Sequence, residues 1–328
     1  MLLNKHCHLK KKIILLLFLI FILVIIYYRE KFSLIFSNPK GFIDLFLNIS
    51  RIASFSLYAL ALNMGIFLLA AIVEIMSIGW TKSSLKRILS NRSKSTYGDL
   101  WCWALSIFNL YDLFVLLFSF GLFYATTSLV MQSIYEVHLI NKIGSPIVVF
   151  ILVFAISDFK HYIWHYFMHK RPFWELHKYH HSATEFNLIT TTRGHFLEKG
   201  FLTIIDVFVF LLLGIPPEYF IFIAFGREFY AFILHADLNW SLGWFGKYIL
   251  ISPKAHKIHH SNDENHFGKN LGTFFNWWDH LFGTYMDTDE EIKIGVRNTT
   301  YNKNGFWMDM VHGTKDFISA TLNIRNPH

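Results

Sequence analysis

The chain has 328 residues, of which 53% are hydrophobic, 18% are aromatic and only 16% are charged, and its formal net charge is +7. This composition is too apolar for an ordinary soluble domain and predicts segments of about 20 apolar residues that cross a bilayer. The presence of only two cysteines excludes a disulfide framework or a thiolate metal site, and basic residues beside anionic lipid headgroups explain the positive charge, so no nucleic-acid partner is expected.

The first apolar run covers residues 13–28 and has lysine or arginine on both sides. No small-residue cleavage site follows it, which favours an uncleaved membrane anchor over a secretory signal. The next segment, residues 29–51, carries four basic residues and is predicted to lie along the membrane interface with its apolar side chains buried. Residues 1–54 are therefore predicted to be an N-terminal membrane anchor and interfacial segment.

Three further apolar runs, residues 55–78, 110–131 and 146–156, predict membrane spans, the first two within a transmembrane region of residues 55–139. Five basic residues lie between the first two of these runs, whereas residues 132–145 contain one. By the positive-inside rule the more basic stretch faces the cytoplasm, and the histidine-rich segments that follow the third run then face it too.

Two more apolar runs, residues 201–213 and 219–234, flank the sequence Gly-Ile-Pro-Pro at positions 214–217. Glycine and proline interrupt helices, so this break predicts the tip of a helical hairpin. The prediction leaves open whether the hairpin crosses the bilayer fully.

Three histidine clusters in the second half of the chain predict a metal site. Their spacings of three and four residues place imidazoles on one face of a helix, as a shared metal centre requires. The clusters and the isolated His235 give nine candidate residues, His165, His169, His177, His180, His181, His235, His256, His259 and His260. A tetrahedral zinc site uses four ligands, so eight or more imidazoles favour two metal ions, either iron or zinc.

Other polar, aromatic and small residues stand at set distances from these histidines. They are Asp158, Tyr162, Trp164, Trp174, Asn187, Thr190, Arg193, Asp237, Pro253, Asn270, Gly272, Trp278, Asp279, Phe282, Gly283 and Thr284. With the clusters, and in this order, they resemble the sterol desaturase and fatty acid hydroxylase superfamily of membrane di-iron enzymes. The resemblance implies a catalytic domain over residues 140–287 in which the nine histidines bind two iron ions, with zinc as a substitute, and O2 is the co-substrate.

The pattern is similar to the alkylglycerol monooxygenase-like branch of the superfamily, because the chain shows no appended cytochrome b5-like domain and its first cluster is His-x3-His. One departure from the superfamily pattern leaves two candidates for the first histidine pair. Tyr166 follows His165 where relatives often have arginine, and His161 forms a competing His-x3-His pair with His165. We choose His165 and His169 because their distance from Asp158 fits the superfamily spacing.

Three further residues are expected beside the metal centre. His195 and His266 are interpreted as hydrogen-bonding neighbours of the ligands. Asp237, where relatives often have asparagine, is predicted to orient His235, since a metal-bound histidine usually donates its other ring N–H to a carboxylate or carbonyl.

The resemblance implies a membrane-bound oxidoreductase that uses O2 and external electrons to hydroxylate or desaturate a lipid, either a sterol, a fatty acyl chain or an alkyl lipid. The residues do not decide between the two products, because that outcome depends on how each substrate C–H bond is positioned. No dinucleotide-binding glycine motif and no cysteine set for haem or an iron–sulfur cluster is present, so we expect a separate cytochrome b5-like or ferredoxin-like electron donor with a reductase.

Two other classes of function stay open. A zinc-dependent membrane hydrolase needs a carboxylate as general base, and Glu198 is the nearest candidate, although no His-Glu-x-x-His motif occurs. A non-enzymatic membrane metal carrier would place histidines and carboxylates at mid-membrane depth, whereas the spans before Asp158 carry only Glu74 and Asp112.

The predicted fold is all-α, an integral membrane helical bundle of about four spans plus a helical hairpin, with a cytoplasmic helical cap that holds two metals. The expected location is the bacterial inner membrane or the endoplasmic reticulum. A polar segment, residues 287–291, marks the end of the catalytic domain, and no role is predicted for the C-terminal tail of residues 288–328.

Overall fold

A computed structural model of the chain describes residues 57–90, 93–108, 110–118, 126, 145–214 and 217–322. Among these residues the regular elements are helices, and strand pairing is limited to two isolated β-bridges. The predicted all-α class is confirmed for this part of the chain. The predicted anchor of residues 13–28 and the interfacial segment of residues 29–51 lie outside the described residues.

The helices are named here in chain order. They are α1 (Leu57–Ile78), α2 (Ser84–Ser90), α3 (Lys94–Ile107), α4 (Tyr111–Phe118), α5 (Pro146–Met168), α6 (Trp174–His181), α7 (Phe196–Leu213), α8 (Pro217–His235), α9 (Gly243–Tyr248), α10 (Pro253–His259), α11 (Trp277–Phe282) and α12 (Phe306–Leu322). Short 3-10 helices cover Trp80–Lys82, Leu188–Thr192 and Glu264–His266. The predicted span of residues 110–131 is described as a helix over α4, and the two predicted arms of the hairpin are α7 and α8.

Two of the described helices are long and apolar enough to cross a membrane, α1 over Leu60–Ile78 and the whole of α5. The two halves of α5 differ in exposure. Ile147 and Ile151 are 73% and 59% exposed, whereas Asp158 is 0% exposed. The first half of α5 therefore presents an apolar surface suited to lipid, and its second half lies inside the protein, where it carries the first histidine cluster.

Capping residues explain where the elements that carry or support the site begin. Ser252 precedes α10, its side chain accepts a hydrogen bond from the backbone N–H of Ala255, and Pro253 occupies the first helical turn, where a missing N–H has no consequence. Asn187 caps the 3-10 helix of residues 188–192 in the same way and forms a reciprocal capping box with Thr190.

Helix packing brings distant parts of the chain against the histidine-rich helices. α8 packs on α1, where the rings of Phe67 and Phe232 lie 5.7 Å apart, and α8 also contacts α10. α12 packs on α6, and the hydroxyl of Tyr301 donates a hydrogen bond to the carbonyl of Glu175 at 2.8 Å. The C-terminal segment, to which the sequence assigned no role, therefore covers the helix of the second histidine cluster.

Candidate metal centre

The nine predicted histidines come together from four helices. α5 carries His165 and ends just before His169, and α6 carries the second cluster. α8 ends at His235, and the third cluster lies on α10 and at its C-terminus. His165 and His259 are 94 residues apart in the sequence, and yet their rings are in contact, so the site depends on the tertiary fold.

The ring nitrogens of these histidines form two groups, each compact enough to hold one metal ion. The five-histidine group consists of His165, His169, His177, His181 and His259, and the four-histidine group consists of His180, His235, His256 and His260. Within each group the nitrogens lie within 4.8 Å of one another. Together the two groups contain all nine of the predicted histidines.

Each His-x2-His-His cluster contributes to both groups. On α6, His177 and His181 belong to the five-histidine group, and His180 belongs to the four-histidine group. The cluster on α10 does the reverse, because its first and last histidines belong to the four-histidine group and its middle one to the five-histidine group. Two short helices therefore hold the groups side by side.

Hydrogen bonds to Nδ1 establish the protonation of five of these rings. They join His165 to the carbonyl of Leu271 (2.8 Å), His259 to that of Lys269 (2.9 Å), His180 to that of Arg193 (2.8 Å), His235 to that of Ala231 (2.9 Å) and His177 to the carboxylate of Glu198 (2.8 Å). A carbonyl or carboxylate oxygen only accepts, so Nδ1 donates in each case. In a neutral ring Nε2 then carries a free lone pair, the form that binds metal.

These free Nε2 atoms face one another at short distances. Nε2 of His165 lies 3.1 Å from Nε2 of His177 and 3.1 Å from that of His259, and the Nε2 atoms of His180 and His235 are 3.4 Å apart. Neither nitrogen of such a pair has a proton to donate, so the contact is repulsive unless a cation lies between them. An ion bonded to imidazole at about 2.1 Å separates neighbouring nitrogens by roughly 3.0–3.4 Å, so the donor set fits metal ions.

Other ring nitrogens support the same interpretation. Nε2 of His169, Nε2 of His181 and both nitrogens of His260 are buried and have no hydrogen-bond partner among the described residues. Buried polar atoms are rarely left unpaired, since the desolvation penalty is on the order of 1–3 kcal/mol each. Burial also lowers the pKa of His259 to about 3 and holds the pKa of His180 well below its usual range, so both rings are neutral at pH 7.

The loop after α10 orients two histidines of the five-histidine group through its carbonyls. Asn270, at a left-handed φ of 51°, donates from its side chain to the carbonyls of Ala255 (3.0 Å) and Met286 (2.8 Å). Asp279 accepts hydrogen bonds from the backbone N–H of Leu271 (2.7 Å) and Gly272 (2.8 Å). These contacts hold the carbonyls that accept from His259 and His165, and they explain the Asn-x-Gly pattern of the sequence.

A side chain at position 272 would disrupt this loop. A Cβ atom there would lie 2.7 Å from Oδ2 of Asp279 and 2.8 Å from the carbonyl oxygen of Phe275. The glycine is therefore required by close approach of the backbone.

A buried ion pair supports the four-histidine group. Arg193, whose carbonyl orients His180, has its guanidinium 2.9 Å from Asp99, and both side chains are fully buried. Asp99 also accepts hydrogen bonds from Asn187 and Thr190 at 2.9 Å each. The network connects α3 and the 3-10 helix of residues 188–192 to the metal centre, a connection that the sequence did not predict.

The structure corrects the predicted role of Asp237. The carboxylate of Asp237 pairs with Arg87 at 2.9 Å and with Lys257 at 2.8 Å, whereas Nδ1 of His235 bonds to the carbonyl of Ala231 in its own helix. The prediction that Asp237 orients His235 is wrong, because two nearby cations neutralise its charge and the helix backbone already supplies an acceptor. Glu198, considered from the sequence only as a general base, instead orients His177.

The remaining predicted neighbours lie outside both groups. His195 bonds through Nε2 to the carbonyl of Met310 on α12 at 2.8 Å, and His266 bonds to the hydroxyl of Ser261 at 2.8 Å. His161 is in neither group and lines a cavity beside them. The choice of His165 and His169 over His161 and His165 is consistent with this placement.

A cavity of about 480 Å³ opens onto both groups from α5, α7 and α8. Its wall includes His165, His177, His180, His235 and His256. A molecule in this cavity would lie beside histidines of both groups.

Comparison with known proteins agrees with the resemblance found in the sequence. Residues 150–284 match the family model for fatty acid hydroxylase. The chain is 32% identical over 151 residues to an alkylglycerol monooxygenase of Caenorhabditis elegans, an alignment that covers 46% of this chain and 29% of that protein. It is 29% identical over 157 residues to the ornithine lipid hydroxylase OlsE of Rhizobium tropici, with 48% and 47% of the two chains covered. The comparisons therefore confirm the predicted resemblance to the superfamily and to its alkylglycerol monooxygenase-like branch.

A third relative is named for a sterol. The chain is 31% identical over 137 residues to a cholesterol 25-hydroxylase-like protein of Danio rerio, with 39% of this chain and 51% of that protein covered. The chain thus spans about a third of the length of the alkylglycerol monooxygenase and about half of the other two relatives. No solved structure matches it.

Proposed function

We propose, from the match of residues 150–284 to the fatty acid hydroxylase family model, that this chain is a membrane-bound di-iron oxidoreductase that hydroxylates or desaturates a lipid with O2 and external electrons. The observation that carries the proposal is the pair of histidine groups, in which unprotonated Nε2 atoms face one another at 3.1–3.4 Å. All nine predicted histidines are proposed as ligands, five to one iron and four to the other, with zinc as a substitute when iron is scarce.

The chemistry divides between metal and protein. Bound iron supplies the O2-dependent attack on an unactivated C–H bond, for which amino-acid side chains have no equivalent. Burial lowers the pKa of His180 and His259. Two carbonyls and the Glu198 carboxylate orient His165, His259 and His177. The protein also positions the substrate through the cavity that opens onto both groups.

Hydroxylation is the preferred outcome in this proposal, because desaturation requires the controlled removal of a second hydrogen from the same substrate. The electrons come from a separate cytochrome b5-like or ferredoxin-like protein with a reductase. The relatives named as lipid hydroxylases support a lipid substrate, and the exposed apolar half of α5 supports a membrane setting.

We further propose a bundle of about four spans plus the α7–α8 hairpin, with the histidine groups on the cytoplasmic side. The basic residues that follow α1 support this orientation. Glu291, an exposed residue beyond the metal-binding helices, offers a test. A cysteine introduced there should react with a membrane-impermeant maleimide in inside-out vesicles and stay unlabelled in sealed right-side-out vesicles.

The test of the reaction uses protein purified under reducing conditions and loaded with iron. Metal analysis should approach two ions per chain, and 18O2 should label a lipid product only when lipid, iron and an electron donor are all present. A product that carries a new double bond without 18O would identify desaturation. A single tightly bound ion, or hydrolysis of a lipid ester without O2, would overturn the assignment in favour of a different metalloenzyme.

A further inference from the structure

The cavity beside the histidine groups is polar on the side formed by the membrane-associated helices. Its wall carries Lys160 from α5, Asp206 from α7, and Arg227 and Glu228 from α8. Ionisable residues at such positions are costly to bury and usually serve a function. The four side chains differ in whether the protein already satisfies them.

Three of the four have partners within the protein. Lys160 forms an ion pair with Asp206. Arg227 donates hydrogen bonds to the carbonyl and hydroxyl oxygens of Ser157, both at 3.1 Å, and to the hydroxyl of Thr273 at 3.0 Å. These residues join α8 to α5 and to the loop before α11, and α7 to α5, so their charges are explained by helix packing.

Glu228 is the exception. Within the described residues no hydrogen bond and no ion pair involves its carboxylate, although the residue is half-buried on the cavity wall. Lys199, on the same wall, is the positive charge that acts on it electrostatically, without reaching ion-pair distance. A partly desolvated carboxylate without a donor is unfavourable, so the position is suited to a ligand that supplies one.

Helix geometry places Glu228 in line with the metal centre. The cavity-lining positions of α8 include Ala224, Glu228, Ala231 and His235, which recur at spacings of three and four residues and therefore share one face. Glu228 precedes His235 by seven residues, a rise of about 10 Å along the helix. A molecule held at Glu228 can thus extend along α8 to the histidines.

We propose that Glu228 binds the head group of the lipid substrate by accepting a hydrogen bond from its hydroxyl or ammonium group, and so selects the carbon that reaches the histidines. This inference rests on the proposed function. It predicts an amphiphile oxidised within about 10 Å of its polar group, since that is the separation of Glu228 and His235 along α8. It disfavours a lipid whose only polar group is a carboxylate, because two carboxylates repel.

The test measures binding without turnover. Full-length protein is loaded with zinc, kept free of electron donor, and incubated with tritiated hexadecan-1-ol in detergent micelles. Hexadecylamine, hexadecyl methyl ether and hexadecanoate, which share one alkyl chain and differ in head group, compete for the site. A hydrogen bond to a charged group corresponds to roughly tenfold or more in affinity, so the alcohol or the amine should bind at least about tenfold more tightly than the ether.

Two variants and a control assign that difference to Glu228. Glu228→Leu should reduce the alcohol and amine to the affinity of the ether, while Glu228→Gln, which keeps an acceptor without charge, should weaken the amine about tenfold relative to the ether. Glu291→Gln removes the same charge at an exposed position and should change no affinity. Zinc content and thermal unfolding of each variant show whether it has folded.

Tighter binding of the alcohol identifies a neutral hydroxyl head group, and tighter binding of the amine identifies a cationic one. Equal binding of alcohol, amine and ether by the wild type would overturn the proposal, as would unchanged discrimination in Glu228→Leu. If that variant does not fold, unchanged amine affinity in Glu228→Gln is the contradicting result. Selective binding by a protein that neither incorporates 18O into a lipid nor introduces a double bond would reject the proposed oxidation and retain the head-group site.

Discussion

The two histidine groups share α6 and α10, but α5 contributes only to the five-histidine group and α8 only to the four-histidine group, and the two groups are supported differently. In the five-histidine group, the Nδ1 atoms of His165 and His259 donate to loop carbonyls, and that of His177 donates to the Glu198 carboxylate. In the four-histidine group, His180 and His235 donate to backbone carbonyls alone. Nδ1 of the two remaining ligands of that group has no hydrogen bond among the described residues.

This difference has a consequence for metal affinity. A carboxylate that accepts from a ligating imidazole raises the basicity of the ring and holds its orientation, which strengthens the bond to metal. The five-histidine group has such a carboxylate and one more ligand than the four-histidine group. We therefore expect the five-histidine group to hold its ion more tightly, and the following variants test that ranking from the largest effect to the smallest.

Loss of one ligand from either group should abolish activity. His259→Ala removes a ligand of the five-histidine group and His180→Ala one of the four-histidine group, and each should lower the metal content from two ions toward one. The helices around each ion are held together partly through it, so the thermal unfolding temperature should fall as well. Metal analysis of both variants tests these assignments. Two retained ions in either variant would show that the replaced histidine is not a ligand.

The buried ion pair of Arg193 and Asp99, which supports the four-histidine group, is expected to give the next largest effect. Arg193→Met leaves Asp99 buried without its cation and should destabilise the protein by about 3–5 kcal/mol. The double variant Arg193→Met with Asp99→Leu removes both charges and should recover part of that loss. Metal should leave the four-histidine group first, as chelator titration can show; uniform loss from both groups would indicate general unfolding instead.

Removal of the carboxylate that orients His177 tests the five-histidine group. Glu198→Gln keeps the shape of the side chain and should leave the fold intact. The affinity of the five-histidine group for metal should nevertheless fall by about 10–100-fold. The chelator titration should then show that the difference in metal affinity between the two groups is smaller or reversed. Glu290→Gln, at an exposed position, is the matched control, and an unchanged affinity in Glu198→Gln would show that the carboxylate does not support the ligand.

The smallest effect is expected at His161. This residue lines the cavity but belongs to neither histidine group, so His161→Ala should keep both metal ions and change mainly the Michaelis constant of the lipid. The comparison variant is His165→Ala, which should lose metal. A His161→Ala protein that loses an ion while His165→Ala retains both would show that the first histidine pair is misassigned.

Local sequence patterns were sufficient to predict many of the helices and the candidate metal-binding residues. Spacings of three and four residues placed the histidines on helix faces, and apolar runs located α1, α5 and the two arms of the hairpin. The role of Asp237 was mispredicted because a family position shows which residues are near a site but not which charges compete for them. Arg87 lies 150 residues before Asp237, and no local pattern signals that they pair.

The sequence by itself was enough to predict the all-α class, the resemblance to the superfamily and a set of nine candidate histidines, because helix periodicity and residue type are local properties. Tertiary structure alone decided how those histidines divide into five and four, since His165, His177 and His259 meet only when three helices pack together. It also decided that Glu198 supports a ligand while Glu228 stays without a partner in the described protein. Those assignments depend on distances between segments remote in the chain, and such distances come from packing.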